Sequence, residues 1–227
     1  RIRYSEFDEN LCQPLYSLIN YFQDCSTFQS EELGIGVEYL KEKGRLWVLT
    51  SWQIRIFRYP SLGEAVRTGT WACGFHGFVG MRNFVMETAE GEMLACAYSE
   101  WAYMDPAAGR PVRADAGEVQ RYGMEEPLEM EYAGRKISVP GEQRFLDPVT
   151  VYAHHLDSNH HVNNGQYVAI AAEYLPEGFQ VRQLRAEYKR QARLGDILTP
   201  GISESSGAYV VTLNDQAGRP YVILEFS

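Results

Sequence analysis

No apolar run in this chain reaches the roughly 18 residues needed for a helix to cross a bilayer, so no membrane span is expected. Cysteine is scarce. Cys12, Cys25, Cys73 and Cys96 all fall in the first half without a C-x-x-C pair. That pattern excludes a disulfide or zinc framework and reads as reduced thiols in a cytosolic protein. Basic residues are the minority: 21 Lys and Arg against 30 Asp and Glu leave a net charge of -9. Such a balance argues against general nucleic-acid affinity but leaves room for a local basic patch. The chain opens at Arg1 with no Met and no signal-like segment, the pattern of a trimmed sequence, so a removed targeting peptide stays open.

What the chain does have is a concentrated polar stretch, His155-Leu156-Asp157-Ser158-Asn159-His160-His161-Val162-Asn163-Asn164. It places a carboxylate, a carboxamide and an imidazole within five residues. A helix over 163–175 is expected behind it, with Val162, Tyr167, Ile170, Ala171 and Tyr174 on one face. Asn163 or Asn164 suits the N-cap and Pro176 the stop. If the preceding segment is extended, side chains alternate, and Asp157, Asn159 and His161 share one side next to the positive helix end. An acid/base pair, an amide donor and a helix N-terminus are the ingredients for hydrolysing an acyl bond.

The rest of the chain falls into two similar halves. Residues 1–8 read as a short strand, and Pro14 opens a helix with Leu15, Leu18, Ile19, Phe22 and Cys25 on one face, ending near Gly34-Ile35-Gly36. Strands follow at 46–49, 52–57, 65–75, 78–88 and 92–104. Residues 105–140, with Pro106, Pro111, Pro127 and Pro140, read as a connector with a short helix near 116–126. The pattern restarts with strands at 142–154, 179–193, 196–204, 207–214 and 220–226. Laid on each other, Phe7-Asp8-Glu9-Asn10-Leu11-Cys12 falls on Leu156-Asp157-Ser158-Asn159-His160-His161, and Leu62-Gly63-Glu64 falls on Leu194-Gly195-Asp196. Ala89-Glu90-Gly91 falls near Gln216-Ala217-Gly218. We read a duplication that kept the imidazole in the second copy and replaced it by Cys12, expected to be buried, in the first. The fold class is α+β: two tandem hotdog domains, each a bent antiparallel sheet wrapped around a long helix. The expected boundaries are 1–115, a connector at 116–140, and 141–227.

On these residues the chain resembles the fatty-acyl-ACP thioesterases, which carry two tandem hotdog domains. The second-half match is Asp157-x-Asn159-x-His161-Val162-Asn163-Asn164-x-x-Tyr167. The first half adds Leu46-Trp47-Val48, Arg58-Tyr59-Pro60 with Gly63-Glu64, Thr70-Trp71, Gly80-Met81-Arg82 and Ser99-x-Trp101 with Met104. The resemblance implies hydrolysis of fatty acyl-ACP to free fatty acid and carrier, ending chain elongation. It implies an acyl pocket in the N-terminal domain, catalysis in the C-terminal one, and Asp157, Asn159 and His161 as catalytic residues. The plant branch carries a downstream Glu-Cys pair; here Gln191-Ala192 follow Glu187-Tyr188-Lys189-Arg190. Ala192 excludes a cysteine nucleophile, and Gln191 cannot be a base but can hold water or an oxyanion through its amide. The partners implied are acyl carrier protein bearing its acyl chain on phosphopantetheine, and water, in the cytoplasm, with room for a homodimer. No cofactor and no metal are implied.

Plainer readings accompany each of these. Asp157 and Asn159 also suit a turn, and Asn163 and Asn164 a cap, with no chemistry attached. His154, His155, His160 and His161 lack the spacing of a zinc site. Gln191 reads equally as a polar strand residue unless a bulge re-aims it. Arg182, Arg185, Lys189, Arg190 and Arg193 suit either docking of an acidic carrier or a solvated strand face. The four tryptophans are expected in the core or the pocket wall. Rival functions are a non-catalytic acyl-ACP or acyl-CoA binding protein, an acyl-CoA thioesterase, and a hotdog dehydratase. Direct water attack and an acyl-Asp intermediate both fit the residues.

Overall fold

A computed structural model of the chain describes residues 1–8 and 11–227. The expected match of Asn10 to Asn159 lies outside the described residues. The chain divides into two compact units. The first holds residues 1–13 and 17–132, the second 14–16 and 133–227, so the expected connector is shared between them.

In the first unit, helix α1 (Leu15–Glu32) and the short helix α2 (Val37–Glu42) precede strands β1 (Leu46–Ile56), β2 (Val66–His76), β3 (Val79–Thr88) and β4 (Met93–Asp105). A two-residue strand, β5 (Arg110–Pro111), and helix α3 (Ala116–Tyr122) follow. The sheet runs β2-β3-β4-β1, antiparallel throughout, with β5 on β4. The helical spacing of Leu18, Ile19 and Phe22 puts all three on one buried face. Phe22 meets Phe84 of β3 at 5.3 Å and Trp52 of β1 at 6.2 Å between ring centroids, so the helix lies against the concave side of the sheet. Trp52 alone of the four tryptophans is fully buried. Trp71 instead spends its N–H on the Glu126 carbonyl.

The other face of that sheet is strapped. Asn83, fully buried on β3, donates to the Ala97 carbonyl and accepts the Leu128 N–H at 3.1 Å, with the Tyr132 hydroxyl at 3.2 Å. The segment 125–132 is thereby held on the sheet, assisted by Glu125 N–H to the Ala72 carbonyl and Gln53 to the Glu131 carbonyl. Asn83→Ala removes the partner of the Ala97 carbonyl, the Leu128 N–H and the Tyr132 hydroxyl at once. Unfolding in urea is expected to show a loss of about 1–3 kcal/mol.

The second unit contains β6 (Arg144–Phe145), β7 (Val149–Thr150), helix α4 (Asn164–Ala172), and strands β8 (Gln183–Tyr188), β9 (Ile197–Ser205), β10 (Ala208–Asn214) and β11 (Pro220–Phe226). Its sheet order is β8-β11-β10-β9-β6, antiparallel, with β7 pairing β9. Helix α4 packs on β10 and β11 through Tyr167, Val168 and Ala171. A strap covers this sheet too. Glu187, buried on β8, accepts the Ile137 N–H at 3.2 Å, and Arg185 reaches the Gly134 and Lys136 carbonyls. Ile137 is buried with Val210 and Ile223.

Several expected elements come out differently. Residues 1–8 hold a 3-10 turn at Tyr4–Glu6 rather than a strand, because the Glu6 carboxylate takes the Arg3 N–H at 2.8 Å. The stretches 46–49 and 52–57 are one strand, joined through a bulge between Leu49 and Ser51. The strand expected at 142–154 is cut at Leu146-Asp147-Pro148, where proline has no N–H to give a ladder. The strand expected to end at 193 ends at Tyr188. Lys189 and Arg190 both donate to the Tyr221 carbonyl, so the register breaks there.

Candidate active site

The Asp157–His161 stretch is a closed turn, not the extended segment that alternation suggested. The Asp157 N–H donates to the His161 carbonyl at 2.8 Å, and the His160 N–H donates to the Asp157 carbonyl at 3.1 Å. Asp157 Oδ1 accepts the N–H groups of Asn159 at 2.8 Å and His161 at 3.2 Å. A short carboxylate outcompetes strand partners for nearby amides, which is why the backbone folds around it. A bridge between Leu156 and Val162 closes the stem.

The described residues of the first copy, Asp8, Leu11 and Cys12, keep the same hydrogen bonds. Asp8 N–H donates to the Cys12 carbonyl at 2.9 Å, Asp8 Oδ1 accepts the Cys12 N–H at 2.9 Å, and Leu11 N–H donates to the Asp8 carbonyl at 3.1 Å. Leu11 and His160 hold left-handed backbone, φ 57° and 61°. Cys12 is exposed, not buried as expected, because it ends a surface turn. A second aligned pair, Leu62-Gly63-Glu64 and Leu194-Gly195-Asp196, agrees as well. Ser61 N–H bonds the Glu64 carboxylate at 2.7 Å and Arg193 N–H bonds the Asp196 carboxylate at 2.9 Å, with Gly63 and Gly195 both at positive φ.

Behind the second-half turn, Asn163 caps α4, its Oδ1 accepting the Gly165 N–H at 2.8 Å. The Gln166 and Tyr167 amides donate to the Asn163 carbonyl. These three N–H groups are therefore occupied, and the helix acts on the site through its dipole rather than through them. Val162 N–H donates to the Ala192 carbonyl at 2.9 Å, and the Ala192 N–H donates to the Tyr167 hydroxyl at 2.8 Å. Turn, helix and the 190–193 segment thus form one bonded cluster. Ala192 is buried within it, while Gln191 is exposed. Among the described residues no hydrogen bond joins the Gln191 side chain to Asp157, Asn159 or His161.

His161 is half-buried, and its Nδ1 is buried without a partner. Burial pushes its pKa below the ordinary imidazole value. Arg193 and His160 push the same way, and Asp157 opposes them. The surroundings thus favour the neutral form of the ring. Asp157 is half-buried and Asn159 exposed. Asp157 Oδ2 has no hydrogen bond among the described residues, so the carboxylate shapes the turn with one oxygen.

Much of the basic cluster is already engaged. Arg185 pairs with Glu225 at 2.8 Å, Lys189 with Glu187, and Arg190 with Asp215 at 3.1 Å. In the sequence His155 opens the polar stretch and otherwise enters only a metal alternative, with no role of its own. It proves to be a buried element of the turn's stem.

A helix packed against an antiparallel sheet, present twice in one chain, is the tandem hotdog architecture, with the expected long helix in the first unit and a shorter one, α4, capped by a polar turn in the second. The solved 12:0-ACP thioesterase from Umbellularia californica superposes with a TM-score of 0.86 at 19% identity, covering 100% of this chain and 94% of that one. An acyl-ACP thioesterase from Bacteroides thetaiotaomicron gives 0.89 at 21% identity, covering 99% and 93%. The model of the acyl-ACP thioesterase N-terminal domain matches residues 1–121 and that of the C-terminal domain residues 140–221. The chain belongs to the acyl-ACP thioesterase family. A chloroplastic acyl-[acyl-carrier-protein] hydrolase of Cuphea viscosissima is 26% identical over 214 residues, 87% of this chain and 52% of that protein. A palmitoyl-acyl carrier protein thioesterase of Gossypium hirsutum is 25% identical over 215 residues with the same coverages. The chain spans about half the length of these curated relatives. Among the described residues no helix is long and apolar enough to cross a membrane.

Proposed function

We propose that this protein hydrolyses the thioester between a fatty acyl chain and the phosphopantetheine arm of acyl carrier protein, releasing free fatty acid and the carrier thiol. The observation that carries the reading is the Asp157–His161 turn, with its unpartnered, neutral-biased imidazole beside a carboxylate at the cap of α4. His161 takes a proton from water as the water oxygen adds to the thioester carbonyl. The tetrahedral oxyanion is met by the Asn159 carboxamide and by the field of the α4 N-terminus. Collapse breaks the C–S bond, and the imidazolium returns its proton to the leaving thiolate. Asp157 steadies the imidazolium that forms. Gln191 holds water or the oxyanion through its amide once substrate covers the exposed segment. The first unit takes the acyl chain and the second carries the chemistry. Of the basic cluster, Arg193 is exposed and its charge acts on His161, so it is the residue that would steer an acidic carrier to the turn. The cytoplasm, as an aqueous compartment with reduced thiols, and a homodimeric state complete the reading.

A second reading, an acyl-CoA thioesterase or a non-catalytic acyl binder, is favoured by Gln191-Ala192 standing where the plant branch has Glu-Cys. Purified protein offered a panel of acyl-ACPs and acyl-CoAs decides. Thiol release with free fatty acid, faster from acyl-ACP, is the expected result. Binding without thiol release, or an enoyl product, rejects it. In the same assay Gln191→Ala is expected to lower turnover by about 10-fold or more, and an unchanged rate makes that residue structural.

A further inference from the structure

Two residues before Asp157, His155 is only 8% exposed, although Tyr152 and His154 beside it are open to solvent. Its N–H donates to the Tyr152 carbonyl at 3.0 Å, and its ring Nδ1 accepts the Tyr152 N–H at 3.1 Å. Its carbonyl accepts the N–H of Asn163, the cap of α4, at 2.9 Å. The next bridge up the stem is Leu156 to Val162. One imidazole therefore anchors the 3-10 turn at Ala153–His155 that leads into the Asp157–His161 turn, and its backbone ties that segment to the residue leaving it.

The anchor works in one protonation state. A neutral imidazole with its proton on Nε2 accepts at Nδ1, whereas an imidazolium carries a hydrogen on both nitrogens. Protonation would set an N–H of the ring against the N–H of Tyr152 in a buried place. The titratable groups that face the ring are His154, with centroids 4.1 Å apart, and Tyr152, at 6.2 Å. Neither offers a negative charge near neutrality. Burial first, and His154 second, hold its pKa below the ordinary value.

We propose that His155 is a positioning residue: as a neutral imidazole it fixes the stem of the Asp157–His161 turn, and on taking a proton it lets that stem open. The effect on turnover rests on the catalytic reading of the turn; the effect on the stem does not. His155→Asn places an amide oxygen where Nδ1 accepts, without a titrating group. In the wild type, amide exchange protection of Val162 and Asn163, corrected for intrinsic rate, is expected to fall by about 10-fold, the scale of one lost hydrogen bond. The fall should track the His155 ring signal in an NMR titration. His155→Asn should keep that protection flat over the same pH range, and His155→Leu should lack it at every pH. Turnover of the wild type should fall on the acid side with two protons, that of His155→Asn with one. Wild-type protection that ignores the His155 titration, or an equal loss in a folded His155→Asn, overturns the inference. If His155→Asn does not fold, the wild-type titration alone decides. Protection that follows His155 while turnover does not would support this inference and count against the catalytic reading.

Discussion

His161→Ala is expected to lower kcat for acyl-ACP hydrolysis by about 10²–10⁴-fold, the range of a lost general base, while leaving the fold as stable as before or slightly more so. Both halves come from one observation. Nδ1 of His161 is buried with no partner, and an unsatisfied buried polar atom costs free energy. Removing the ring removes that cost, whereas removing an ordinary core residue would destabilise. That pair of outcomes, a lost rate with an undiminished fold, would mark His161 as retained for its chemistry. The pH dependence carries the same sign. Because the folded pKa of His161 lies below the ordinary value near 6.5, the folded state binds fewer protons than the unfolded one as pH drops. His161 therefore leaves stability intact above that ordinary value and reduces it as pH falls toward the folded pKa. In His161→Ala that acid-side loss should shrink, measurably by thermal melts across pH 5 to 8. For turnover the neutral ring is the active form, so the wild-type rate should rise with pH through a midpoint below the ordinary imidazole range. Near-wild-type turnover in a folded His161→Ala removes this residue from the mechanism.

The parts of the fold visible in the sequence were those written as periodicity. Leu18, Ile19 and Phe22 gave the helical stripe, and the strict alternation over Trp52-Gln53-Ile54-Arg55-Ile56 marked a strand. The internal repeat was legible because turns depend on few side chains. Asp8 and Asp157 each capture the amide four residues on, and Glu64 and Asp196 each capture the amide three residues back. What failed were places where a local hydrogen bond overrode the pattern. Alternation put Asp157, Asn159 and His161 on one side of a strand, but the carboxylate drew the backbone into a turn. The same competition turned 1–8 into a 3-10 turn at Glu6. The straps on Asn83 and Glu187 were invisible, since nothing in a proline-rich segment announces which buried polar group will hold it. The stem role of His155 was hidden among four histidines, with only its place two residues before Asp157 as a clue.

Asp157 presents the sharper test, because its structural and chemical roles can be pulled apart. Oδ1 accepts two backbone N–H groups that hold the turn, and an Asn amide oxygen can accept the same two. Asp157→Asn should therefore keep the turn and the melting temperature, yet lose the negative charge that steadies a cationic His161. Turnover is expected to fall by at least about 100-fold, within the range that positioned acid/base groups supply. Asp157→Ala loses both roles. It leaves the Asn159 and His161 amides without their acceptor, so it should show lower stability, by about 1–2 kcal/mol for the lost bonds, on top of a similar or larger rate loss. The pH profile adds a direction. Asp157 raises the His161 pKa against burial, Arg193 and His160, which lower it, so in Asp157→Asn the residual activity should have its acid midpoint shifted further down. The measurements are kcat against pH and thermal melts for the three proteins side by side. If Asp157→Asn turns over like the wild type, the carboxylate serves the turn alone. Asp8, which holds an equivalent turn in a copy without the imidazole, would then be its full counterpart.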